Sequence, residues 1–226
     1  MESDSAVRGD HRRVWYYRDG HAGSRTTTDD VDFDLIRRAR LLHVTGISPA
    51  LSQTFADAVI ESMRVARSAG VPVSFDFNYR GTLWSRAEAR SFYEQAVPLA
   101  DTVFAGHDEA EILLGPSESA RDLALGLVEF GAGESVIKLG ERGAIARVGG
   151  IDYERDAVTV QVVDTVGAGD AFVAGYLAEY LAGSDVPTRL ATAVAVAAYV
   201  CQSAGDWEGL PRRRELERAW SDPVHR

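Results

Sequence analysis

The chain has 226 residues, and its content of 46% apolar and 26% charged residues is typical of a folded globular protein rather than of a disordered or fibrous one. A formal net charge of -10 at pH 7 argues against nucleic-acid binding, because phosphate contacts need clustered Lys and Arg side chains. The expected partner is therefore a small molecule.

Short β-type runs alternate with segments of helical period from residue 41 onward. Strands are predicted over residues 41–44, 71–77, 102–105, 135–139, 144–148 and 158–163. Helices are predicted over residues 52–69, 85–96, 171–181, 188–203 and 212–220, and residues 14–18 alternate like an edge strand. The alternation predicts βα units on a mostly parallel sheet, which is an α/β fold in one domain over residues 1–226.

The glycine-rich turn at residues 164–170 reads Asp-Thr-Val-Gly-Ala-Gly-Asp and lies between a predicted strand and a predicted apolar helix. Glycines at 167 and 169 let a ligand approach the backbone closely. The consecutive N–H groups of Gly167, Ala168, Gly169 and Asp170 would then point outward at a helix N-terminus, which favours an anion. A carboxylate beside that anion site suits a general base that takes a proton from a hydroxyl group, so Asp170 is the candidate catalytic residue.

The residues of this turn also allow or exclude other interpretations. Asp170 could be a plain helix cap after a glycine turn. A Walker A loop is excluded because Lys138, the only lysine, is followed by Leu139 rather than by Ser or Thr. A dinucleotide fingerprint is excluded because Phe172 stands where its third glycine is needed.

The single lysine is itself open to two interpretations. Arginine is used at every other basic position, so Lys138 could be a chance survivor of a composition that favours arginine. Alternatively, Lys138 has a function, because a flexible ammonium suits a position near a phosphate.

The turn at residues 164–170 resembles the C-terminal signature of the ribokinase-like (PfkB) carbohydrate kinases, and the chain is most similar to the 2-keto-3-deoxygluconate kinases among them. The further matching segments, in order, are Tyr16-Tyr17-Arg18, His43-Val-Thr-Gly-Ile47, Phe75-Asp-Phe-Asn-Tyr-Arg80 with Leu83-Trp84, and Val136-Ile-Lys-Leu-Gly140. The resemblance implies a three-layer αβα sandwich and an ATP- and Mg²⁺-dependent kinase for a sugar or sugar acid.

The resemblance also implies roles for individual residues. Asp170 would be the catalytic base, with Gly167, Ala168 and Gly169 as the anion hole. The implied ATP-binding residues are Asn78, Lys138, Gly140 and Gly143, and the implied substrate-binding residues are Tyr16, Arg18 and Arg80. Glu109 is a weak metal candidate, because Gly106 stands where the family usually has an Asn, and His107 and Asp108 are possible substitutes.

The resemblance is incomplete at the front of the chain. Family members begin with strands that carry a Gly-Gly-Asn-type substrate motif and a β lid, and neither precedes Val14. The expected fold is therefore an N-terminally truncated one, without the lid and the first strands. Three functions stay open: a kinase for 2-keto-3-deoxygluconate, a PfkB kinase for fructose, ribose or a nucleoside, and an inactive nucleotide-binding relic.

Location and assembly are predicted from simpler features. One cysteine, Cys201, excludes an internal disulfide framework and suits a reducing compartment, and its apolar setting favours an inert core residue. The first ten residues carry no apolar signal segment, and the longest apolar run, residues 190–201, is too short to cross a bilayer. We therefore expect a cytoplasmic protein without a membrane partner, which could form a homo-oligomer.

Overall fold

A computed structural model describes residues 20–216 of the chain. Its centre is one six-stranded sheet in which spatial order follows chain order. The strands are β1 (Leu42–Thr45), β2 (Val73–Asp76), β3 (Thr102–Gly106), β4 (Glu134–Lys138), β5 (Ala144–Val148) and β6 (Ile151–Arg155). The first four strands are parallel, and the last two form an antiparallel extension.

Seven α-helices connect or flank these strands in the described part of the chain. They are α1 (Phe33–Arg37), α2 (Gln53–Ser68), α3 (Arg86–Ala96), α4 (His107–Leu114), α5 (Ala120–Phe130), α6 (Ala168–Ala182) and α7 (Val186–Val200). Within residues 20–216, none of the helices combines the length and the apolar character that a bilayer-spanning segment requires.

Alternating side chains of the central strands build two separate apolar cores, one on each face of the sheet. Val103 and Ala105 point to the face covered by α1 to α5, whereas Phe104 between them packs against α6 and α7. Val136 and Ile137 divide between the same two faces. The predicted three-layer αβα sandwich with a mostly parallel sheet is therefore confirmed.

Side-chain caps fix the helix starts that the sequence predicted. Ser52 accepts the Phe55 N–H at the start of α2, and Ser85 forms a reciprocal capping box with Glu88 at the start of α3. Such caps satisfy backbone donors that the first turn of a helix leaves unpaired. Each cap therefore sets the residue at which the chain leaves the loop.

The prediction of a strand over residues 158–163 is wrong. These residues form no strand, and Val162 and Val163 are exposed at their side chains. The backbone N–H groups of Val163 and Asp164 donate to the carbonyl of Cys201 instead of to a neighbouring strand. Instead, residues 157–160 and 162 line a cavity described below.

The sheet ends with β6, which the sequence analysis did not predict. Gly149 and Gly150 have φ angles of 58° and 82°, and two consecutive positive φ angles are what a two-residue hairpin turn requires. This Gly-Gly pair was the available signal. The weakly apolar sequence of β6 hid it, because β6 is an edge strand with mostly exposed or half-exposed side chains.

Other predictions differ at the helices. The short α1 and the helices α4 and α5 were not predicted, and α6 begins at Ala168 rather than at Ala171. The predicted strand over residues 14–18 lies outside the described residues, and so does the end of the helix predicted over residues 212–220.

Candidate phosphoryl-transfer site

The carboxyl ends of β2 and β4 and the N-terminus of α6 meet at one edge of the sheet. Asp76 is the last residue of β2, and Lys138 is the last residue of β4. Parallel strands deliver the residues that follow them to the same edge, which is where α/β proteins place their ligands. Charged groups from positions far apart in the sequence therefore lie close together beside one cleft.

The first turn of α6 supplies open backbone donors to this cleft. Gly167 is the residue before the helix and has a φ angle of 77°, and a Cβ there would collide with the carbonyl of Asp206. Ala168 donates its N–H to the Thr165 carbonyl at 3.2 Å. Within residues 20–216, the N–H groups of Gly169 and Asp170 have no hydrogen-bond acceptor. These two amides are the open donors that an anion would meet.

Asp170 is the third residue of α6, and its side chain is exposed. It does not precede the helix, so it is not the plain helix cap that the sequence left open. Its Oδ1 atom accepts a hydrogen bond of 3.2 Å from the Nδ2 atom of Asn78, a residue 92 positions earlier. The carboxylate is thus oriented by a side chain from another element and keeps its second oxygen for other partners.

Asn78 is held in place by an unusual backbone conformation. It is the one residue other than glycine with a positive φ angle, 39°, in the described part of the chain, and its side chain is buried. Asn tolerates this left-handed region better than most residues. The preceding Phe77 stacks on Tyr93 at 4.0 Å between ring centroids, and the Tyr93 hydroxyl donates to the Phe77 carbonyl at 3.1 Å. Apolar packing therefore fixes the turn that points Asn78 at Asp170.

Lys138 and Asp76 form a buried ion pair beside this turn. The Lys138 Nζ atom lies 2.7 and 2.9 Å from the two carboxylate oxygens of Asp76, whose side chain is 1% exposed. Burial raises the pKa of Asp76 to about 6, although Lys138 opposes that shift. Burial also disfavours the Lys138 ammonium, but the neighbouring carboxylates, Asp76 first, outweigh it and raise the pKa of Lys138. Both groups are therefore charged at neutral pH.

A cavity of about 770 Å³ opens next to the pair. Its polar end includes five residues that the sequence analysis assigned to ATP or to the anion hole, namely Lys138, Gly140, Gly143, Ala168 and Gly169. Its apolar wall comes from α6, α7 and the segment that the sequence analysis took for a strand, through residues such as Phe172, Val194, Ala198, Val158 and Val160. A flat apolar group with a phosphate tail fits this division of the lining.

Glu109, the weak metal candidate, accepts hydrogen bonds from two backbone N–H groups. Its Oε1 atom accepts the Tyr79 N–H at 2.8 Å, and its Oε2 atom accepts the Gly106 N–H at 2.6 Å. The carboxylate therefore braces the Asn78 turn against the start of α4. His107 and Asp108, the suggested substitutes, lie with Glu111 in a group whose ligand atoms are within 4.8 Å of one another, but exposed acidic groups are common without a metal.

The structure places Asp170, Asn78, Lys138 and the first turn of α6 at one cleft. Arg80 is half-buried and donates to the Tyr79 carbonyl at 3.1 Å, and no described contact joins it to Asp170. Tyr16 and Arg18 lie outside the described residues. Asp76 was not among the predicted site residues, because its pairing with Lys138 depends on the order of the strands in the sheet.

A parallel αβα sandwich with open helix amides, a paired ammonium and an exposed carboxylate at one cleft is typical of α/β proteins that bind phosphate-bearing ligands. Comparison with known sequences defines the group further. The sequence profile of the pfkB family carbohydrate kinases matches residues 5–213. The chain therefore belongs to the pfkB family of carbohydrate kinases.

Individual relatives agree with this assignment. The chain is 40% identical to the 2-dehydro-3-deoxygluconokinase of Thermoproteus tenax, over 91% of this chain and 62% of that protein. It is 36% identical to the 2-dehydro-3-deoxygalactonokinase of Haloferax volcanii, over 85% of this chain and 61% of that protein. The crystal structure of a PfkB protein from Polaromonas sp. JS666 superposes with a TM-score of 0.82 at 33% identity, covering 92% of this chain and 67% of that one. The chain thus spans a little over three fifths of the length of these two curated relatives.

Proposed function

We propose that the chain carries the nucleotide-binding and catalytic part of an ATP-dependent sugar kinase, with residues 1–226 forming one kinase domain. The observation that supports this most is the position of Asp170, an exposed carboxylate in the first turn of α6 beside two open N–H groups. A base and an anion site side by side are what transfer of a phosphoryl group to a hydroxyl requires.

In this proposal Asp170 takes the proton of the sugar hydroxyl as the oxygen attacks the γ-phosphoryl group of ATP. Asn78 donates to Oδ1 and so orients the carboxylate, which leaves the other oxygen to accept the proton. The N–H groups of Gly169 and Asp170 stabilise the negative charge on the transferring group, with Gly167 and Ala168 shaping the turn. Lys138, Gly140 and Gly143 border the nucleotide in the adjoining cavity.

Magnesium would reach this site with the nucleotide. Mg²⁺ keeps several waters and binds through one or two carboxylates and the substrate phosphates, so it needs no complete protein cage. Glu109 fits only a secondary role, because each of its oxygens already accepts a backbone N–H. When bound, the ion would neutralise charge on the phosphate oxygens.

The proposed acceptor is a sugar acid, with 2-keto-3-deoxygluconate (2-dehydro-3-deoxygluconate) as the first choice. The relatives from Thermoproteus tenax and Haloferax volcanii are a 2-dehydro-3-deoxygluconokinase and a 2-dehydro-3-deoxygalactonokinase, which supports an acid of this type and leaves the sugar configuration open. Arginine side chains suit a substrate carboxylate because their planar donor fork binds it through two hydrogen bonds. Arg80, and Arg18 by resemblance, are the proposed carboxylate ligands.

A panel of sugars tests this proposal, with ADP production as the readout. Deoxygluconate and deoxygalactonate keto acids, fructose, ribose and a nucleoside are each offered with ATP and Mg²⁺. We expect the keto acids to be phosphorylated fastest, and Arg18→Ala to raise their KM. A neutral sugar preferred over the acids, with a KM that Arg18→Ala leaves unchanged, would favour a fructose, ribose or nucleoside kinase. ATP binding by calorimetry without turnover on any acceptor would favour the non-enzymatic alternative.

A further inference from the structure

One of the three N–H donors of the Lys138 ammonium is available to a ligand. Two of its three N–H groups are directed at the Asp76 oxygens, at 2.7 and 2.9 Å. Within residues 20–216, the third has no hydrogen-bond acceptor on the protein, while Lys138 itself lines the cavity and keeps 17% of its side chain exposed. A ligand in the cavity can therefore reach the ammonium.

The same ammonium lies against the first turn of α6. The position that a Cβ on Gly169 would occupy is 3.9 Å from the Lys138 Nζ atom. The ammonium thus shares a small volume with the open N–H groups of Gly169 and Asp170. An anion bound to those amides would also meet a full positive charge.

Asp76 cannot reach the cavity itself, because its side chain is only 1% exposed. Its position is nevertheless fixed, since it ends β2, whose two neighbours are β1 and β3. A free lysine side chain samples many rotamers, and fixing it on binding costs conformational entropy. A bidentate contact to a fixed carboxylate removes that freedom before the ligand arrives.

We propose that Asp76 is a positioning residue that holds the Lys138 ammonium beside the first turn of α6, so that the third N–H binds an oxygen of the transferring phosphoryl group. This inference rests on the proposed kinase function and adds to it the residue pair that places the cation. Asp76 acts only through Lys138 and touches neither nucleotide nor sugar.

Variants of the full chain test this pairing by calorimetric titration with ATP and with ADP. We expect Lys138→Met to weaken ATP binding about tenfold to a hundredfold, which is the range for a hydrogen bond between charged groups. ADP binding should weaken less, because ADP lacks the phosphoryl group that is transferred. Asp76→Asn should weaken ATP binding about fivefold to tenfold, as the ammonium loses its fixed position.

The decisive comparison is a double-mutant cycle. In the Lys138→Met background, Asp76→Asn should cause no further loss of ATP affinity, and this neutral pair is also the variant least prone to misfold. Equal losses in both backgrounds would overturn the proposal, because Asp76 would then act independently of Lys138. Asp76→Glu gives a second probe that keeps the charge and displaces the carboxylate by one methylene, and wild-type ATP affinity in that variant would contradict a need for exact placement.

A matched control lies at the other end of β4. Glu134→Gln breaks a buried pair with Arg189, whose side chain is also 17% exposed, but this pair lies away from the cavity. We expect it to lower thermal stability and leave ATP affinity unchanged. A loss of affinity equal to that of Asp76→Asn would reduce the Asp76 effect to general destabilisation and overturn the proposal.

The pH dependence supplies a readout that a purely structural role would not move. Asp76 faces Lys138 from β4, Glu109 from α4 and Asp170 from α6, and Lys138 also faces His43 from β1. The ratio of the ATP dissociation constants of Asp76→Asn and wild type should fall from about fivefold to tenfold at pH 7.5 toward one at pH 5.5, because the wild-type carboxyl is then protonated. A constant ratio would contradict the proposal.

Failure of this inference and failure of the kinase proposal give different results. A wild-type chain that binds no ATP would defeat both. A wild-type chain that binds ATP and phosphorylates a sugar, with a Lys138→Met variant that binds ATP equally well, would defeat the inference alone.

Discussion

The two ends of β4 carry two buried ion pairs that are alike in composition and different in surroundings. At the carboxyl end Lys138 pairs with Asp76, and at the amino end Glu134 pairs with Arg189 at 3.4 Å. The two cations have the same side-chain exposure, 17%. The burial of the cations therefore does not distinguish the two pairs. The difference between them lies in the other groups that each pair contacts.

The amino-end pair is enclosed by additional protein contacts. Glu134 also accepts hydrogen bonds from the hydroxyls of Thr102 at 2.8 Å and Tyr176 at 3.2 Å. Arg189 donates to the Ser184 carbonyl at 2.8 Å, and its guanidinium lies 4.8 Å from the centre of the Tyr180 ring. Both members of this pair therefore have further partners on the protein, and these contacts hold α6 and α7 against the sheet.

The carboxyl-end pair has unused bonding capacity instead. Lys138, which has one unpaired donor within the described residues, and the start of α6 at Ala168 and Gly169 line the cavity, and the exposed carboxylate of Asp170 lies one residue further along the helix. Unused polar capacity at a buried position is costly unless a ligand supplies the missing partner. The comparison teaches that the open end is arranged for a ligand and the closed end for stability, and the following experiments test that division.

The largest expected effect is on catalysis at the open end. Asp170→Asn should slow turnover roughly 10²-fold to 10⁴-fold, because the amide cannot accept the proton of the sugar hydroxyl. Asp122 is the matched control, since it is an exposed aspartate at the third position of α5. Asp122→Asn should leave the steady-state rate unchanged, and an Asp170→Asn variant with the wild-type rate would remove Asp170 from its assigned role.

At the amino end of β4, where Glu134 pairs with Arg189, we expect a large effect on stability and no effect on catalysis. Glu134→Gln should lower the free energy of unfolding by about 2 to 3 kcal/mol, because Arg189 loses its charged partner while Thr102 and Tyr176 keep only a weaker acceptor. Urea denaturation monitored by circular dichroism measures this change. A stability equal to that of wild type would mean that the network at the amino end contributes nothing.

The contribution of the Asp76 carboxyl to stability should depend on pH. Burial raises its pKa from 3.8 to about 6, so between these values the folded chain binds a proton that the unfolded chain has released. The contribution of Asp76 to the free energy of unfolding must therefore fall as pH rises from 4 to about 6, and stay low above that. The free energy of unfolding of wild type minus that of Asp76→Asn should drop by roughly 1 to 3 kcal/mol between pH 4 and pH 7. A difference that rises or stays flat across this window would contradict the raised pKa.

The smallest expected effects come from removing the hydroxyl of either of two buried tyrosines, which should differ in their effect on turnover. Tyr176→Phe removes one hydrogen bond to Glu134 and should cost about 1 kcal/mol of stability with no change in ATP affinity or rate. Tyr93→Phe removes the bond to the Phe77 carbonyl, with a similar stability cost but a lower turnover, because that bond supports the turn of Asn78. Identical kinetic behaviour of the two variants would weaken the division between the two ends.

Local patterns were enough to predict most of the fold. Capping residues such as Ser52 and Ser85 marked helix starts, and buried apolar runs marked the central strands. The alternating valines at 158, 160 and 162 failed as a strand signal, because these residues, together with Thr159, line a cavity instead of pairing with a strand. The edge strand β6 escaped for the opposite reason, since a strand with few buried side chains has little apolar pattern to detect.

The site was predicted in part. The glycine turn and Asp170 followed from local sequence, because a helix N-terminus carries its own signals. The bond from Asn78 to Asp170 and the pairing of Asp76 with Lys138 depend on the order of the strands in the sheet and on where α6 packs, and no local pattern contains that information. The commitment of Glu109 to two backbone amides was likewise invisible, because one partner lies 30 positions away in the sequence.

The hydrogen bond between Asn78 and Asp170 joins positions 92 residues apart, with the four strands β3 to β6 lying between them in the chain. Contacts with such large sequence separation form late, because closing the long intervening segment costs conformational entropy. During refolding from urea, helical circular dichroism should therefore recover before the ability to bind nucleotide does. Ligand binding by this chain consequently reports on completion of the whole sheet rather than on the presence of its parts.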